Sequence, residues 1–456
     1  MEIHSAHIQR TLMRFAATMI AGAICIAPAF ASGSFQTLLA LKGVSNGGQP
    51  WATPIVDSSG NLYGTTSEGG NGPCISGKIT LGCGTVYELI APTTGSEWTE
   101  TLIYQFQGGE DGNYPVGGLV FDGSGNLYGT TEDGGTSGSA GTVFESSPPS
   151  SGSGPWTLTT IYNFAGGVSG ANPEAGLVFD ESGNLYGTAT WGGNCDGSNG
   201  CGGVVYELSP PSVSGGQWTY TVIYTFKQSP DGAVPQSTLV FVGKNLFGTT
   251  VEGGKGGSSC ELDANCGTIF ELAPPSSSGG TWTEHVLHSF GGVAGDGQNP
   301  RSGLVRDSSG NLYGVTEFGG TYGYGTVYEF APPSAPGGSW TETVLNSFSV
   351  AVDGADPFPT PAIGPDGSLY GTTMFGGPTE LGNVFQLSPP ASSGDPWVET
   401  VLYNFTSKAY PIAGLTFGKA GWLYGATLGG QETENCSTSS GGGQALGCGV
   451  LFRVLP

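Results

Sequence analysis

The heptapeptide GNLYGTT at residues 60–66 is the first of seven copies of one motif along the chain. The other copies are GNLYGTT (125–131), GNLYGTA (183–189), KNLFGTT (244–250), GNLYGVT (310–316), GSLYGTT (367–373) and GWLYGAT (421–427). Their aromatic residues lie 54 to 66 residues apart. Because a period of this length is typical of repeat architectures, the heptapeptide marks one strand of a repeated supersecondary unit.

Each copy of the heptapeptide is accompanied by three further strand-like runs. An apolar run such as GLVFD (118–122) precedes it, a run such as GTVYEL (84–89) follows it, and a Trp-led run such as WTETLIYQF (98–106) ends the unit. The runs are short, rich in β-branched and aromatic residues, and bounded by Gly, Pro and Asn, which is typical of strands. The sequence therefore predicts an all-β protein with four antiparallel strands per unit.

The order of the runs predicts a closed ring. Only six Trp-led runs are present, whereas FQTLLAL (35–41) precedes the first unit. Leu41 lies nine residues before Pro50, the same offset that separates Phe106 from Pro115. An open array would leave an unpaired edge, whereas a propeller allows residues 35–41 to complete the last sheet. We therefore predict a seven-bladed β-propeller rather than a linear β-solenoid.

The predicted domain organisation is a signal peptide followed by one propeller domain. Residues 1–31 combine two Arg with an apolar run and end in Ala29-Phe30-Ala31, a typical cleavage site. The propeller spans residues 32–456, with residues 35–41 as the closing strand. The predicted blades cover residues 50–106, 115–164, 173–226, 235–290, 300–348, 357–405 and 411–455.

Composition excludes one class of partner and favours an oxidising compartment. The 456 residues include 84 Gly and 30 Pro, and the net charge is −24, which argues against nucleic acid as a partner. Eight Cys follow the predicted signal peptide, and in an exported chain such a number favours disulfides over zinc. Local pairing predicts the bridges Cys74–Cys83, Cys195–Cys201, Cys260–Cys266 and Cys436–Cys448.

The patterns F-x-GG-x-DG-x-x-P, GLV-x-D-x-x-GNLYGTT-x-x-GG and GTV-[FY]-EL together resemble the GloVer (Gloeo/Verruco) tandem repeat of bacterial exported proteins. The resemblance covers nearly the whole chain after the signal peptide. It implies a propeller and a secreted, periplasmic or cell-surface location. It supplies no activity and no catalytic residues.

Two sets of variable positions are predicted to surround one mouth of the central channel, on the face that carries the Gly-Gly loops, which we call the upper face. The channel set follows the Pro that opens each unit and consists of Trp51, Val116, Glu174, Gln236, Arg301, Phe358 and Ile412. The rim set precedes each Gly-Gly and consists of Glu68, Asp133, Trp191, Glu252, Phe318, Phe375 and Leu428. Antiparallel pairing is expected to bring the sets side by side. Two interpretations stay open for their mixture of acids, aromatics and Arg301: solvated rim residues that bind no ligand, and an asymmetric ligand site suited to a sugar ring.

Histidine and cysteine are poorly placed for catalysis. His285 and His288 lie in an outermost strand, and a Ser-His-Asp triad needs a His next to a nucleophile in a pocket. The sequence therefore favours a secreted, non-catalytic binding or scaffold protein that recognises a neutral or cationic ligand such as a glycan. The alternative is a carbohydrate-active hydrolase or lyase that uses paired carboxylates such as Glu68 and Glu174.

No cofactor is predicted, and calcium is the metal that loop aspartates could bind. Asp111, Asp231, Asp296 and Asp353 each precede Gly in the loops between units and could supply oxygen ligands. Asp-Gly pairs also form tight turns, which is the favoured interpretation of these residues.

Overall fold

The computed structural model describes residues 34–76, 79–136, 139–150, 154–193, 202–213, 215–255, 260, 266–277, 279–335, 337–392, 394–430 and 447–456. The predicted signal peptide lies outside the described residues. Strands and turns make up this part of the chain, together with two short 3-10 turns at Gly167–Ser169 and Lys419–Gly421. Within it, no helix has the length and apolar character needed to cross a membrane.

Seven antiparallel blades form the predicted propeller. Blade 1 consists of Ile55–Val56, Leu62–Thr66, Thr85–Ile90 and Thr99–Gln105, and blade 2 of Val120–Phe121, Leu127–Thr131, Thr142–Ser147 and Thr157–Asn163. Blade 3 consists of Val178–Phe179, Leu185–Ala189, Val204–Ser209 and Thr219–Thr225, and blade 4 of Val240–Val242, Asn245–Thr250, Thr268–Ala273 and Thr283–Ser289. Blade 5 consists of Val305–Arg306, Leu312–Thr316, Thr326–Ala331 and Thr341–Ser347, and blade 6 of Ala362–Ile363, Leu369–Phe375, Asn383–Ser388 and Val398–Asn404. Blade 7 consists of Thr416–Phe417, Leu423–Thr427, Val450–Val454 and Phe35–Ala40.

Short additional strands lie in the loops of the upper face, the face that carries the Gly-Gly loops. Gly232–Ala233 pairs with Glu252–Gly253, Gly297–Gln298 with Phe318–Gly319, Ala355–Pro357 with Leu369–Phe375, and Ile75–Ser76 with Ile79–Thr80. Because Leu369–Phe375 is long, the sheet of blade 6 contains a fifth strand.

The N-terminal strand closes the ring as predicted. Phe35–Ala40 pairs antiparallel with Val450–Val454, so that Phe35 lies opposite Val454. The Leu41 amide continues this pairing by donating to the Gly449 carbonyl over 3.0 Å. The two ends of the described chain therefore share blade 7, and each blade packs against two neighbours.

In blades that carry the D-x-x-GN-x-Y turn, its polar residues form a hydrogen-bonded network on the face opposite the Gly-Gly loops. In blade 1, the Asp57 carboxylate accepts hydrogen bonds from the Asn61 backbone amide (2.8 Å) and side chain (3.1 Å). The Tyr63 hydroxyl donates to Glu88 over 2.7 Å. These hydrogen bonds connect the turn, which carries Asp57 and Asn61, to the second strand through Tyr63 and to the third strand through Glu88.

Aromatic packing between blades explains the regular Trp and Tyr positions. Trp156 of blade 2 packs against Tyr63 of blade 1 with ring centroids 6.3 Å apart, and Trp98 of blade 1 packs against Tyr424 of blade 7 at 5.8 Å. Core clusters accordingly combine residues of adjacent blades. The six repeated Trp are therefore packing residues.

The first Thr of the GTT motif links neighbouring blades around the channel. In five blades its hydroxyl donates to a backbone carbonyl of the next blade, over 2.7 Å from Thr249 to Ser302 and 3.0 Å from Thr130 to Ala175. The other three donor and acceptor pairs are Thr65 with Gly117, Thr188 with Ser237, and Thr372 with Ala413. Blades 5 and 7 have Val315 and Ala426 at this position.

Replacing one of these threonines should weaken the ring without disturbing its packing. We expect Thr249→Val to lower the free energy of unfolding by about 1–2 kcal/mol, because the buried Ser302 carbonyl loses its hydroxyl donor. Chemical denaturation of the full chain measures the change. Thr219→Val, on the exposed side of an outer strand, is the matched control. Equal midpoints for the two variants would contradict the role of the hydroxyl.

The first strands lie within the predicted apolar runs, as Val120–Phe121 lies within residues 118–122, but they are only two or three residues long and begin four residues after the channel set. The segments ahead of them open with Pro, which has no amide proton to offer a ladder. Pro115 also packs against Gly84 of blade 1, whose φ is +101° and where an added Cβ would lie 2.4 Å from the proline ring. The channel set therefore lies on extended backbone at the channel wall and not within regular strands.

Candidate functional site

The seven residues of the channel set line a single cavity at the propeller axis. The cavity has a volume of about 260 Å³, and each blade contributes the equivalent residue to its wall: Trp51, Val116, Glu174, Gln236, Arg301, Phe358 and Ile412. Because a propeller repeats one backbone segment around its axis, equivalent positions from distant parts of the sequence converge here.

Polar and apolar members of the channel set occupy separate arcs of the wall. Blades 3 to 5 contribute Glu174, Gln236 and Arg301, whereas blades 6, 7, 1 and 2 contribute Phe358, Ile412, Trp51 and Val116. Phe358, Ile412 and Trp51 belong to one apolar cluster. The cavity is therefore amphipathic, with its two characters on opposite sides.

Hydrogen bonds hold the polar arc in a fixed arrangement. The Gln236 side-chain amide donates to Glu174 Oε2 over 2.8 Å, and Arg301 Nη1 donates to Gln236 Oε1 over 2.7 Å. Arg301 Nε forms an ion pair with Glu317 Oε2 at 2.7 Å, and both side chains are more than nine-tenths buried. The Arg301 guanidinium also lies 5.6 Å from the centre of the Phe358 ring, where the polar and apolar arcs meet. The polar arc is thus held in place by its own side chains.

Glu317 was not predicted from the sequence. It lies one residue before the rim set, at a position occupied in blades 1 to 4 and 6 by Ser67, Glu132, Thr190, Val251 and Met374. In blade 7, Leu428 itself takes this position, because its amide donates to the Tyr410 carbonyl as the Glu317 amide donates to the Asn299 carbonyl. This position also varies in a repeat that is otherwise uniform, which is the signal that identified the channel and rim sets. The two positions are adjacent, and successive side chains of a strand point to opposite faces. The sequence alone therefore does not say which of the two faces the channel.

The rim set lies one level above the cavity and does not pair with the channel set as expected. Bridge partners of Glu68, Asp133 and Trp191 are Gly48, Asn113 and Ala171, each three residues before the channel-set residue of the same blade. The partners of Glu252, Phe318 and Phe375 are Ala233, Gln298 and Ala355. The expected register was wrong because the short upper-face ladders end before the channel wall begins.

Burial separates the rim set into two groups. Glu68, Phe318, Phe375 and Leu428 are buried, whereas Asp133, Trp191 and Glu252 remain partly exposed. Phe375 and Leu428 share the apolar cluster of Trp51 and Phe358. The apolar arc of the cavity therefore continues upward into the rim at blades 6 and 7.

The electrostatics of the mouth are dominated by carboxylates. Burial raises the pKa of Asp133, and the charge of Glu174 acts in the same direction. Burial likewise raises the pKa of Glu252, while Arg301 opposes the shift. Burial and the nearby Glu68, Asp133 and Glu132 carboxylates raise the pKa of Tyr114. The mouth is thus unfavourable for anions.

An unusual backbone conformation precedes the channel wall in every blade. The residue before the opening Pro has a positive φ in all seven cases: Gln49, Tyr114, Asn172, Val234, Asn299, Asp356 and Tyr410, with φ between +48° and +59°. Such a conformation is uncommon for residues other than Gly, Asn and Asp. The turn is stabilised by its backbone: the Glu132 amide, for example, donates to the Tyr114 carbonyl over 2.9 Å.

The four aspartates considered for calcium act as hydrogen-bond acceptors in their loops. Asp111 accepts from the Gln107 amide (2.8 Å) and Asp353 from the Ser349 amide (2.6 Å). Asp231 accepts from the Lys227 amide (3.0 Å), and Asp296 accepts from the Gly292 amide (3.3 Å). These contacts fit the turn interpretation, and calcium binding by these residues stays a prediction.

The described part of the chain contains two of the predicted disulfides. Cys74–Cys83 and Cys260–Cys266 close loops of the upper face with Cα atoms 5.0 and 5.3 Å apart. Cys448 is disulfide-bonded as well. Cys195, Cys201 and Cys436 lie outside the described residues. The bridges indicate an oxidising compartment.

The fold and the repeat define the class of this protein as an all-β propeller built from a bacterial tandem repeat. The sequence profile of the Gloeobacter/Verrucomicrobia repeat matches residues 25–261 and 256–439. The chain belongs to this family. No curated protein matches the chain.

Solved structures that align with most of this chain share little of its sequence. A candidate 6-phosphogluconolactonase from Bacteroides uniformis aligns over 84% of this chain and 98% of its own with 14% identity and a TM-score of 0.47. The Trichoderma reesei carbohydrate-active enzyme of family AA12 aligns over 96% and 99% with 10% identity and a TM-score of 0.39. A glucose dehydrogenase aligns over 93% and 99% with 14% identity and a TM-score of 0.37. At this level the likeness concerns the fold alone.

Proposed function

We propose that this protein is exported, with cleavage near Ala31, and that its channel cavity binds a neutral or cationic ligand such as one sugar unit of a glycan. The observation that carries the proposal is the division of the channel set into a polar and an apolar arc. A sugar ring has an apolar face that stacks on aromatic planes and hydroxyl groups that accept and donate hydrogen bonds. Trp51 and Phe358 offer the former contacts, and Glu174 and Gln236 the latter.

Charge and size narrow the ligand class. The channel set, the rim set and the residues next to the rim set include the carboxylates of Glu68, Glu132, Asp133, Glu174, Glu252 and Glu317 but only one guanidinium, that of Arg301, which is already paired with Glu317. Anionic ligands are therefore disfavoured. The cavity of about 260 Å³ is slightly smaller than the roughly 300–1,000 Å³ of most small-molecule sites, so it fits one ring and not a long chain segment.

Binding can be tested with monosaccharides that differ in charge. We expect calorimetry on the full chain to detect neutral sugars or glucosamine and to detect no binding of glucuronate. Trp51→Ala should weaken the binding about tenfold or more, because it removes a stacking plane worth roughly 1.4 kcal/mol or more. Glu174→Gln should lose the preference for glucosamine.

Tyr322→Ala is the matched control, because Tyr322 is an aromatic residue of an upper-face loop that is 60% exposed and outside the cavity. Its affinity should equal that of the unmodified protein. Failure of every sugar to bind, or equal affinity in Trp51→Ala and Tyr322→Ala, would refute the proposed site.

A hydrolase or lyase is the second candidate function. The observation that favours it is the proximity of the Asp133 and Glu174 carboxyl groups, since the charge of Glu174 acts on Asp133. Glycosidases use two carboxyl groups whose pKa values differ, and the pKa of Asp133 is raised by burial and by Glu174. This pair replaces Glu68 and Glu174 as the best candidate for acid and base. Reducing-sugar release from a polysaccharide panel, abolished by Asp133→Asn, would support the enzyme; binding without release supports the non-catalytic function.

A further inference from the structure

Three side chains with metal-binding donor atoms meet at the junction of blades 4 and 5. His288 lies in the outermost strand of blade 4, Asp296 in the following loop, and Glu342 in the outermost strand of blade 5. One donor atom from each residue lies within 4.8 Å of the other two. His288 Nε2 is 3.5 Å from Asp296 Oδ2. The sequence placed His288 away from any ligand cluster, because its partners are brought in by the neighbouring blade.

Buried polar atoms of the same three residues have no hydrogen-bond partner. They are His288 Nε2, Asp296 Oδ1 and Glu342 Oε1. The Asp296 side chain is only 2% exposed. A buried polar group without a partner is costly, and buried carboxylates in particular require a hydrogen-bond donor or a cation. The equivalent glutamates Glu100, Glu284 and Glu399 share the unsatisfied Oε1 of Glu342, so the atoms that distinguish this junction are His288 Nε2 and Asp296 Oδ1. These two atoms, next to the Glu342 carboxyl group, point to a ligand that is positively charged and small.

Equivalent junctions of the propeller satisfy this position differently. At the junction of blades 3 and 4, Tyr224 takes the place of His288 and its hydroxyl donates to Asp231 over 2.9 Å. Tyr104 similarly donates to Asp111 over 3.0 Å. Tyrosine is thus the residue that the repeat uses to satisfy the loop aspartate. His288 replaces this donor by an imidazole whose nitrogen can coordinate a metal.

We propose that His288, Asp296 and Glu342 bind one divalent transition-metal ion, with Zn²⁺ as the best match. One imidazole and two carboxylates suit Zn²⁺, whereas Ca²⁺ prefers six to eight oxygen ligands. Tetrahedral zinc with bonds of about 2.1 Å places its ligand atoms roughly 3.4 Å apart, close to the separation of His288 and Asp296. Glu342 needs only a small side-chain movement to join them, and water completes the coordination.

The ion would stabilise the loop that delivers Arg301 to the channel wall. Asp296 lies five residues before Arg301, and Gly297–Gln298 between them pairs with the rim. At the other end of this loop, Gly291 packs against the Cys260–Cys266 disulfide. The loop is thus fixed at one end by the disulfide and at the other by the proposed ion. The role is structural and separate from ligand binding in the cavity.

Zinc titration of the EDTA-treated full chain tests the proposal. We expect one equivalent of Zn²⁺ to bind in calorimetry and to raise the melting temperature, with Ca²⁺ binding at least tenfold more weakly. Co²⁺ should give the visible absorption bands of a site with nitrogen coordination. Absence of Zn²⁺ binding, or stronger binding of Ca²⁺, would overturn the proposal.

Two variants assign the binding to these residues. His288→Tyr installs the residue that the repeat uses at Tyr224, so the fold should be retained while Zn²⁺ affinity falls tenfold or more and the Co²⁺ bands disappear. Glu342→Gln should also weaken binding at least tenfold. His285→Gln removes the neighbouring imidazole, which lies opposite Glu271 in the sheet, and should leave the affinity unchanged. Equal Zn²⁺ affinity in His288→Tyr and His285→Gln would refute the site.

Discussion

A chain that begins after Leu41 is expected to lose the cooperative unfolding transition of the intact propeller and to aggregate. Without Phe35–Ala40, the strand Val450–Val454 becomes an unpaired edge. Exposed, apolar strand edges pair with other chains. Each blade depends on two neighbours, so the loss reaches blades 6 and 1 as well as blade 7.

Side-chain packing adds to the lost backbone pairing. The Phe35 ring stacks on Tyr403 of blade 6 with centroids 3.8 Å apart and also contacts Phe405 and Phe452. Phe35 is partly buried, so the loss of its side chain alone should cost less than the roughly 3–5 kcal/mol of a fully buried Phe. Since whole domains are stable by only about 5–15 kcal/mol, we expect deletion of the closing strand to remove most of the stability. Denaturant unfolding and light scattering measure both effects.

Two altered chains distinguish the effect of losing the closing strand from the effect of shortening the chain. A chain that begins at Ser34 should unfold like the full-length protein, since it retains the closing strand. A permuted chain that carries residues 34–41 behind Pro456 through a short turn should also fold, because Leu455 and Ser34 are already joined by a hydrogen bond of 3.1 Å. A cooperative, monomeric product from the chain that begins after Leu41 would disprove the closing role.

The second prediction is that the protein becomes less stable as the pH rises from about 5 to 8. Several glutamates that follow the packing Trp point into blade junctions. Burial raises the pKa of Glu100 to about 7, with Asn46 and Lys42 opposing. Burial and then the nearby Asp353 carboxylate raise the pKa of Glu399 to about 10, with Asn346 opposing. Both groups are therefore protonated in the folded protein at mildly acidic pH.

The sign of the pH dependence follows from proton binding. An unfolded Glu loses its proton near pH 4.5, whereas the folded protein retains it up to about pH 7 at Glu100 and beyond pH 8 at Glu399. In this window the folded state binds more protons than the unfolded state. The free energy of unfolding therefore falls as the pH rises. At pH 8 the loss from Glu399 is on the order of a few kcal/mol, because a tenfold change in a proton-binding constant corresponds to about 1.4 kcal/mol.

Glu399→Gln isolates the largest contribution. The amide stays neutral at every pH and can still donate to Asp353, so we expect the variant to be more stable than the unmodified protein at pH 8 and nearly equal to it at pH 5. Denaturant unfolding at several pH values measures both. Glu97→Gln, in an exposed loop, is the matched control and should keep the slope of the unmodified protein. Identical slopes for the two variants would show that Glu399 is ionised in the folded state.

The blade architecture was predictable because it is written into local, repeated patterns. Strand type and the packing Trp follow from residues whose roles recur in most units, and the closing strand follows from the one unit that lacks its Trp-led run. Register at the upper face was not predictable to the same accuracy. The rim set pairs three residues earlier than expected, since short ladders and a positive φ before each Pro shift the backbone there.

The candidate sites depend on contacts between blades that lie far apart in the sequence. Variation at Glu174, Gln236 and Arg301 marked the channel wall, but their hydrogen bonds and the partner Glu317 are visible only when blades 3 to 5 stand side by side. The cluster of His288, Asp296 and Glu342 was likewise not predictable from the sequence. The strand position of His288 is evident from the sequence, whereas Asp296 and Glu342 reach it through the loop and the next blade.

The sequence by itself determined that this protein is a seven-bladed ring closed by its N-terminal strand, because repeated side-chain patterns specify each blade locally and one missing strand specifies the closure. Only the tertiary structure decided which variable residues act together. A ring places equivalent positions from all blades around one axis and joins the loop of one blade to the strand of the next, so charge, burial and ligand geometry arise from neighbours that no local pattern records.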